Sequence, residues 1–336
     1  MFFKLRNPKS YVGIDIGSSS VKVVELSKRP EQFELLNFSR IPLSENIVIL
    51  DSIKKAIREA KIISKSVNTS VSGKSVVVRY ISLPKMTKQE LKSAIKFEAE
   101  KYIPFSVQDV VLDAQIIGEA LEDNKIKVIL VAAKKDLIEH TIKLLEDCGL
   151  EPSVIDIDSF AIANAFQFNF NFENDNSYVL VDVGARLTKI NIISKDISYL
   201  TRDVEIAGDA ITRYLSDKLN IPFDEAEKLK CNPKEKEELV REACQFAMEG
   251  LFNEIRLSLD YYESHFEKPI EAIFLSGGTS LLKNLDKIFN ENLNIETKVW
   301  SPIKAIKVGR AILNRGLPEF ASQFAVSIGL ALRSAQ

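Results

Sequence analysis

The sequence has few of the residues that disulfide scaffolds, zinc sites and membrane spans require. Its 336 residues include three cysteines, two histidines and one tryptophan, and no two cysteines form a C-x-x-C pair. Such cysteine usage is typical of reduced, cytosolic proteins, and two distant histidines do not provide a metal cluster. No apolar run approaches the length that crosses a membrane. The formal net charge is −2, so we expect no nucleic-acid partner.

The hydrophobic fraction is 46%, in a chain long enough for two ordinary domains. Alternating apolar residues predict two strands within 11–26, and helical spacing predicts a helix near 50–65. The chain from 209 to 266 is predicted to be mostly helical, with its longest helix over about 237–266. The stretch "FQFNFNFENDNS" at 166–177 is interpreted as a loop or, because its phenylalanines alternate, as an edge strand.

Residues 74–150 have the pattern of a compact α+β unit with the order strand, helix, strand, strand, helix. The first helix is well marked. Thr87 followed by Glu90 is typical of a capping box, and Pro104 ends the apolar helical pattern. We therefore expect an inserted subdomain here.

One motif occurs twice. "VGIDIGSSSVKVV" at 12–24 aligns with "VLVDVGARLTKIN" at 179–191. The alignment pairs three sets of residues: Asp15 with Asp182, Gly17 with Gly184, and Lys22 with Lys189. A single D-x-G after a strand is also typical of an ordinary turn. Two copies in the same frame favour a shared chemical role.

Phosphate binding is a chemistry that this motif suits. A glycine lets the backbone approach a phosphate closely, and successive N–H groups of a turn form an anion nest. The first turn adds further donors: the hydroxyls of Ser18, Ser19 and Ser20 and the ammonium of Lys22. Asp15 and Asp182 would repel phosphate unless Mg²⁺ lies between them, usually through water. We therefore predict two hairpins that clamp phosphates around a magnesium ion.

A third element is "FLSGGTSLL" at 274–282, in which a strand passes through Gly277, Gly278 and Thr279 into a helical pattern. Such a turn allows the backbone to lie flat against a nucleoside and its α-phosphate. By itself such a stretch is more often an ordinary tight strand-to-helix turn.

In this order, "DIGSSSVK", "DVGARLT" and "SGGTS" resemble the motifs of the actin-like ATPase superfamily. Further stretches, among them "EAEKYIPF", "CGLEPSVIDIDSFAIANA", "EIRLSLDYY" and "ASQFAVSIGLALR", resemble the PilM family, the cytoplasmic actin-like proteins of type IV pilus assembly. The resemblance covers nearly the whole chain. It implies an α/β protein with the actin-like ATPase fold, in which two duplicated lobes surround a nucleotide cleft and an α+β subdomain is inserted.

The resemblance also implies domain boundaries. The predicted parts are a first lobe over 1–73, the inserted interaction subdomain over 74–150, a return to the first lobe over 151–178, a second lobe over 179–313 with a helical subdomain near 207–270, and a C-terminal helix over 314–336 that packs back on the first lobe.

The implied ligand is ATP or ADP with Mg²⁺, and the resemblance assigns site residues. The first phosphate loop is Asp15, Gly17, Ser18, Ser19, Ser20 and Lys22; the second is Asp182, Gly184, Ala185 and Thr188; the adenosine motif is Gly277, Gly278 and Thr279. "IAGDAIT" resembles a Gly-Gly-x-x-x-T turn in which Ala207 replaces the first glycine, so only Gly208 is carried over. Glu227 and Lys230 of "EAEKLK" resemble the pair that contacts ribose and adenine, and they also suit a solvated helix face.

Asp158 lies where relatives carry an acid that orients the attacking water. Because aspartate reaches less far than glutamate, we expect ATP hydrolysis to be slow or absent. An equally open interpretation is that Asp158 caps the helix that follows it.

The PilM resemblance implies a partner, the N-terminal cytoplasmic tail of a PilN-type bitopic membrane protein. Its groove is expected near Val76–Leu83 and the helix Leu91–Tyr102. Other pilus-assembly components are expected partners too, and self-association is left open. The chain is expected in the cytoplasm, reaching the inner membrane only through its partner. Two alternatives remain: an FtsA-like cell-division filament protein and a small-molecule kinase of the same superfamily.

Overall fold

The computed structural model describes residues 10–30, 32–43, 48–119, 124–172, 176–195 and 197–334. The chain divides into two compact units. The smaller unit is Val71–Glu151, and the larger unit is formed by the residues up to Ser70 and from Pro152 onward. No helix among the described residues is long and apolar enough to cross a membrane.

The elements of the larger unit before the smaller one are β1 (Ser10–Ile16), β2 (Ser20–Lys28), β3 (Phe33–Pro42), α1 (Ile49–Glu59) and β4 (Ser66–Val71). The smaller unit contains β5 (Val76–Pro84), α2 (Lys88–Ala99), β6 (Val110–Glu119), β7 (Lys125–Lys134) and α3 (Lys135–Glu146). The larger unit continues with β8 (Glu151–Ile157), α4 (Asp158–Asn169), β9 (Ser177–Val183), β10 (Thr188–Ser194), β11 (Ile197–Val204), α5 (Gly208–Leu219), α6 (Phe223–Cys231), α7 (Glu237–Ala247) and α8 (Glu249–Phe266). It ends with β12 (Ile270–Ser276), α9 (Leu285–Leu293), β13 (Thr297–Val299), β14 (Lys307–Val308), α10 (Arg310–Leu313), α11 (Leu317–Phe320) and α12 (Ala325–Arg333).

Two sheets of the larger unit share one topology. The first has the order β14-β3-β2-β1-β4-β8, and the second has the order β11-β10-β9-β12-β13. In each, three antiparallel strands are followed by a strand parallel to the first of them, β4 beside β1 and β12 beside β9. The sequence repeat at 12–24 and 179–191 therefore corresponds to a duplicated sheet.

The core of the larger unit follows the alternation of its strands. Leu180 and its neighbours on one face of β9 join a cluster that includes both sheets and the buried helices α4 and α12. Val179 and Val181 on the other face join a second cluster with α5, α7, α8 and α9. Helices α4 and α12 approach closely, since a Cβ at Gly329 would overlap the carbonyl of Ala161.

The smaller unit is an antiparallel sheet of order β5-β7-β6 with its own core. Leu91 and Ile95 of α2 pack with Leu130 of the central strand β7 in this core. The predicted capping box is confirmed: the Thr87 hydroxyl accepts from the Glu90 N–H, and the Glu90 carboxylate accepts from the Thr87 N–H. The predicted order of strand, helix, strand, strand, helix is confirmed as well.

Three local predictions differ from the structure. The long helix expected over 237–266 breaks at the buried Met248 and forms α7 and α8. The segment from Phe166 to Asn169 is the end of α4, so the interpretation as loop or edge strand is wrong there. Residues 170–172 and 176 belong to no helix or strand, as the loop interpretation predicts, and residues 173–175 lie outside the described residues. Strand β4, rich in serine, was not predicted.

Candidate functional site

The two copies of the repeated motif form hairpins of the same geometry. In the first, Asp15 lies opposite Lys22 across β1 and β2, and the Lys22 ammonium contacts the carboxylate at 2.8 Å. In the second, Asp182 lies opposite Lys189 across β9 and β10. Both turns close through one bond, Gly17 N–H to the Ser20 carbonyl and Gly184 N–H to the Leu187 carbonyl, each at 3.1 Å. The spacing of Asp, Gly and Lys, which the two copies of the repeat share, thus places Asp opposite Lys in each hairpin.

Lys189 connects the second hairpin to helix α4. Its ammonium lies 3.1 Å from the Asp158 carboxylate and 3.5 Å from that of Asp182. The other oxygen of Asp158 accepts a hydrogen bond from the Ser70 hydroxyl at 2.6 Å. Asp182 accepts one from the Ser276 hydroxyl at 2.9 Å. Four separate elements therefore meet around one largely buried lysine: β4, α4, the β9–β10 hairpin and β12.

The charges of this cluster balance one another only partly. Burial disfavours the charged form of Lys189, but the carboxylates of Asp158, Asp182 and Asp15 outweigh it and raise the pKa of that lysine well above its ordinary value. Burial raises the pKa of Asp15, against the opposing effect of Lys22. The cluster contains three carboxylates but only the two ammonium groups of Lys22 and Lys189, and little water reaches it. One more positive charge, such as a cation, would therefore be stabilised there.

A second network joins residues that are distant in the sequence. The Gly184 carbonyl accepts bonds from the Thr279 hydroxyl at 2.7 Å and from the Gly208 N–H at 3.1 Å. The Gly208 carbonyl accepts from the buried Lys230 ammonium at 3.1 Å, and Lys230 pairs with Glu227 at 2.6 Å. Partial burial disfavours the charged form of Glu227. The ammonium of Lys230 and the hydrogen bonds that the Glu227 carboxylate accepts outweigh this effect and lower the pKa of Glu227. The structure thus brings these five predicted residues together.

Glycine is sterically required at three points of this network, and at one of them, Gly184, a Cβ would lie 2.8 Å from the Leu187 carbonyl. Gly277 has φ +86°, and a Cβ there would overlap the Val183 carbonyl. A Cβ at Gly208 would overlap the Thr279 hydroxyl. Gly278 differs, because a Cβ there would meet no atom within 4 Å. The Gly-Gly turn therefore has one glycine fixed by packing and one that faces open space.

The remaining predicted residues occupy varied environments. Ser18 and Ser19 are exposed at the tip of the first hairpin, whereas Ser20 is buried. The Ala185 carbonyl accepts from the N–H of Asp209 at the start of α5. The buried Thr188 hydroxyl donates to the Ile206 carbonyl at 2.6 Å, so here it joins β10 to the loop before α5.

Asp158 is the first residue of α4, and no side-chain cap bond is made at the preceding N-cap position, Ile157. Its carboxylate instead binds Ser70 and Lys189. These two contacts join Asp158 to β4 and to β10.

Sequence reasoning missed Ser70 and Ser276 of the charged cluster and gave Lys189 no role. It also missed Thr212 of the second network, whose hydroxyl accepts a hydrogen bond from Lys230. For Lys189 a signal existed, because it occupies the position of Lys22 in the repeat. The serines carried none, since their partners lie tens of residues away.

The carboxylates of the two hairpins are the candidate ligands for Mg²⁺. Among the described residues, no group of three His, Cys, Asp or Glu side chains could hold a metal directly. Asp15 and Asp182 converge on one cluster, but each has a lysine partner. These two carboxylates fit Mg²⁺ through water and phosphate oxygens, which is its ordinary mode beside nucleotides.

The fold defines a class of protein, and comparisons with known proteins agree. The chain resembles MreB5 of Spiroplasma citri bound to ADP, with a TM-score of 0.51 and 14% identity, over 97% of this chain and 96% of that one. It is 22% identical to the cell division protein FtsA of Enterococcus hirae, over 87% of this chain and 78% of that protein. The protein has the actin-like ATPase fold.

Two comparisons identify the family. The model of the type IV pilus assembly protein PilM family matches residues 13–335. A solved PilM-PilN type IV pilus biogenesis complex contains a chain that superposes with a TM-score of 0.87 at 26% identity, covering 97% of this chain and 98% of that one. The chain belongs to the PilM family of type IV pilus assembly proteins.

Proposed function

We propose that this protein is an ATP-binding cytoplasmic scaffold of the type IV pilus inner-membrane assembly complex and binds the N-terminal tail of a PilN-type membrane protein. The observation that carries the nucleotide half is the convergence of Gly184, Gly208, Glu227, Lys230 and Thr279 beside the charged cluster of the two hairpins. The inner membrane is reached through that partner.

Each part of the site has a role in this proposal. The two hairpin turns hold the β- and γ-phosphates of ATP, and Asp15 and Asp182 hold Mg²⁺ through water. Gly277 and Gly278 offer backbone to the nucleoside, where Gly278 faces open space. Glu227 and Lys230 contact ribose and adenine; their mutual ion pair fixes both side chains before the nucleotide arrives.

Hydrolysis in this proposal is slow. Asp158 would orient the attacking water, but its carboxylate already binds Lys189 and Ser70. A carboxylate whose two oxygens already contact a cation and a hydroxyl is less available to accept a proton from water.

The partner half rests on the family and on the smaller unit. The strand β5 lies at an edge of its sheet, a position that accepts an added peptide strand. On α2, Phe97 is 77% exposed on an open, nearly flat face that it shares with Gln89, Glu90, Ser93 and Ala94. Aromatic side chains are enriched at protein interfaces, which supports α2 as a part of the proposed partner surface.

The test measures binding of a fluorescent ATP analogue with Mg²⁺ to the full chain and to matched variants. Asp182→Ala and Lys230→Ala should weaken binding by tenfold or more, the cost of losing one charge-assisted contact, about 1.5–3 kcal/mol. Lys228→Ala is the control, because Lys228 lies on the same helix but is 77% exposed and pairs only at the surface with Asp224. Equal binding by all three variants would contradict the nucleotide half.

The same preparation separates the other functions. Capture of a synthetic N-terminal peptide from the PilN-type protein of the same genome supports the scaffold. Phosphate transfer that depends on an added small acceptor would instead indicate a kinase, and ATP-dependent filaments without peptide capture would indicate an FtsA-like role.

A further inference from the structure

Asp158 uses its two carboxylate oxygens for two different elements. One oxygen accepts the Ser70 hydroxyl at 2.6 Å, and the other contacts the Lys189 ammonium at 3.1 Å. Asp158 is 7% exposed, and the Lys189 side chain is 12% exposed, so water screens these contacts weakly. A carboxylate bound on both sides cannot follow one partner without straining its bond to the other.

Among the three bonded residues Ser70, Asp158 and Lys189, Lys189 is the one that a bound nucleotide would perturb. It follows Thr188 directly at the end of the second hairpin turn, and it is shared between Asp158 and Asp182. Phosphate held by that turn adds negative charge beside the ammonium. The ammonium is then attracted away from Asp158, because buried charges interact strongly over short distances.

Ser70 is the other end. It is the last residue of the larger unit before Val71, with which the smaller unit begins, and β4 ends at Val71. Only the short turn around Gly73, whose φ is +85°, separates it from β5. The Ser70 hydroxyl therefore fixes the strand end from which the smaller unit continues.

We propose that Lys189, Asp158 and Ser70 form a relay through which nucleotide at the second hairpin alters the stability of β5 and α2 in the smaller unit. The relay rests on the proposed nucleotide function and gives it a consequence, since these two elements carry the proposed partner surface. Binding of ATP shifts the Lys189 ammonium. Asp158 then either moves with the ammonium or loses its contact with it, and the hydrogen bond between Asp158 and Ser70 tightens or breaks accordingly. The end of β4 then changes its order, and β5 changes with it.

The test is amide hydrogen exchange of the full chain, read by mass spectrometry with and without Mg-ATP. In the unmodified protein, ATP should slow exchange in the segments 184–189 and 277–279 and should change it in β5 and α2 by about fivefold or more, the lower end of ordinary allosteric coupling. In Ser70→Ala, ATP should still slow exchange in the segments 184–189 and 277–279, but it should no longer change exchange in β5 and α2. Ser70→Thr keeps a hydroxyl, so the response of β5 and α2 to ATP should return.

Ser66→Ala is the matched control. Ser66 lies on the same strand, and its hydroxyl bonds that of Ser153 at 2.6 Å, but this pair is exposed and is not bonded to Asp158. Its removal should leave both ATP effects intact.

The outcomes separate the two proposals. If ATP leaves the segments 184–189 and 277–279 unchanged in the unmodified protein, the nucleotide function fails and the relay fails with it. If those segments respond but β5 and α2 do not, or if Ser70→Ala responds like the unmodified protein, the nucleotide function stands. The relay is then wrong, and the three residues only satisfy one another's buried polar groups.

Discussion

The largely buried ammonium of Lys189 joins two elements of the larger unit through ion pairs. It is held by Asp158 and Asp182, from helix α4 and from its own hairpin partner strand. Its counterpart Lys22 contacts only the hairpin aspartate at 2.8 Å among the ion pairs that the described residues form. The two hairpins are thus similar, and in the second one the lysine also contacts helix α4 through Asp158.

Replacing Lys189 by methionine should destabilise the protein strongly. The change leaves Asp158 and Asp182 buried without their shared cation, and breaking a buried pair in this way costs about 3–5 kcal/mol of unfolding free energy. Lys298→Met is the control; Lys298 pairs with Glu296 at 2.7 Å, but both side chains are more than half exposed. That loss should be about 0–1 kcal/mol. Urea unfolding measures both, and equal losses would show that Lys189 is not a structural centre.

Gly278 allows binding to be separated from folding. Its backbone is right-handed, and an added Cβ would meet nothing within 4 Å, so Gly278→Ala should leave the unfolding free energy nearly unchanged. If nucleoside lies on this turn, the methyl group should reduce ATP affinity by several-fold. Gly208→Ala is the contrast, because its Cβ would overlap the Thr279 hydroxyl and should lower both stability and affinity. Unaltered affinity in Gly278→Ala would place the nucleoside elsewhere.

At the scale of elements, helix α2 depends on a capping box. Thr87→Ala should cost about 1 kcal/mol of local stability, because one N–H of the first turn loses its acceptor. Hydrogen exchange of α2 measures this loss. Ser93→Ala, in the exposed middle of the same helix, should have no such effect. If both changes act alike, the cap is not what starts this helix.

The same cap should make α2 sensitive to acid. The Thr87 N–H and hydroxyl donate to Glu90 and lower its pKa below the ordinary value of 4.5. A lowered pKa stabilises the folded form above the ordinary value, and this contribution is lost as the pH falls through the lowered one. Protection of α2 should therefore weaken in that range, and it should not do so in Glu90→Gln.

Which elements could be predicted follows from where their partners lie. The cap of α2 and the two hairpins were predictable because all their contacts fall within a few residues, where spacing in the sequence determines geometry. Strand β4 was not, since its buried Asn68 and Thr69 look like loop residues. Their side chains donate to the carbonyls of Leu330 and Ile14, and no local pattern shows those bonds.

The break between α7 and α8 has a similar cause. The apolar spacing continues through Met248, but that residue is buried with φ −102° and ψ 4°, outside helical values. Two residues later, a Cβ on Gly250 would meet the Ile206 side chain at 2.7 Å. The break therefore coincides with a close tertiary approach, which local spacing in the sequence does not show. For the site, the repeat predicted the hairpin pairs, whereas the Lys189–Asp158 link depended on the path of α4.

At the scale of the whole molecule, the two units have separate cores. The core of the smaller unit is drawn entirely from residues 77–132, including Leu83, Leu91 and Leu130. Its strands pair only with one another in the sheet orders of the described residues. A segment that satisfies its own backbone and buries its own apolar side chains meets the ordinary conditions for independent folding.

We therefore expect a fragment of residues 71–151 to unfold in one cooperative transition, followed by circular dichroism in urea. Within it, Leu130→Ala should cost about 2–5 kcal/mol, because Leu130 is fully buried in the central strand. Phe97→Ala should lower the unfolding free energy little, since that ring is 77% exposed. If α2 carries the partner surface, the same change should weaken capture of the PilN-type peptide. A fragment without a cooperative transition would mean that the smaller unit depends on the rest of the chain for its fold. Peptide capture that survives Phe97→Ala unchanged would remove α2 from the proposed partner surface and leave the edge of β5 as its remaining element.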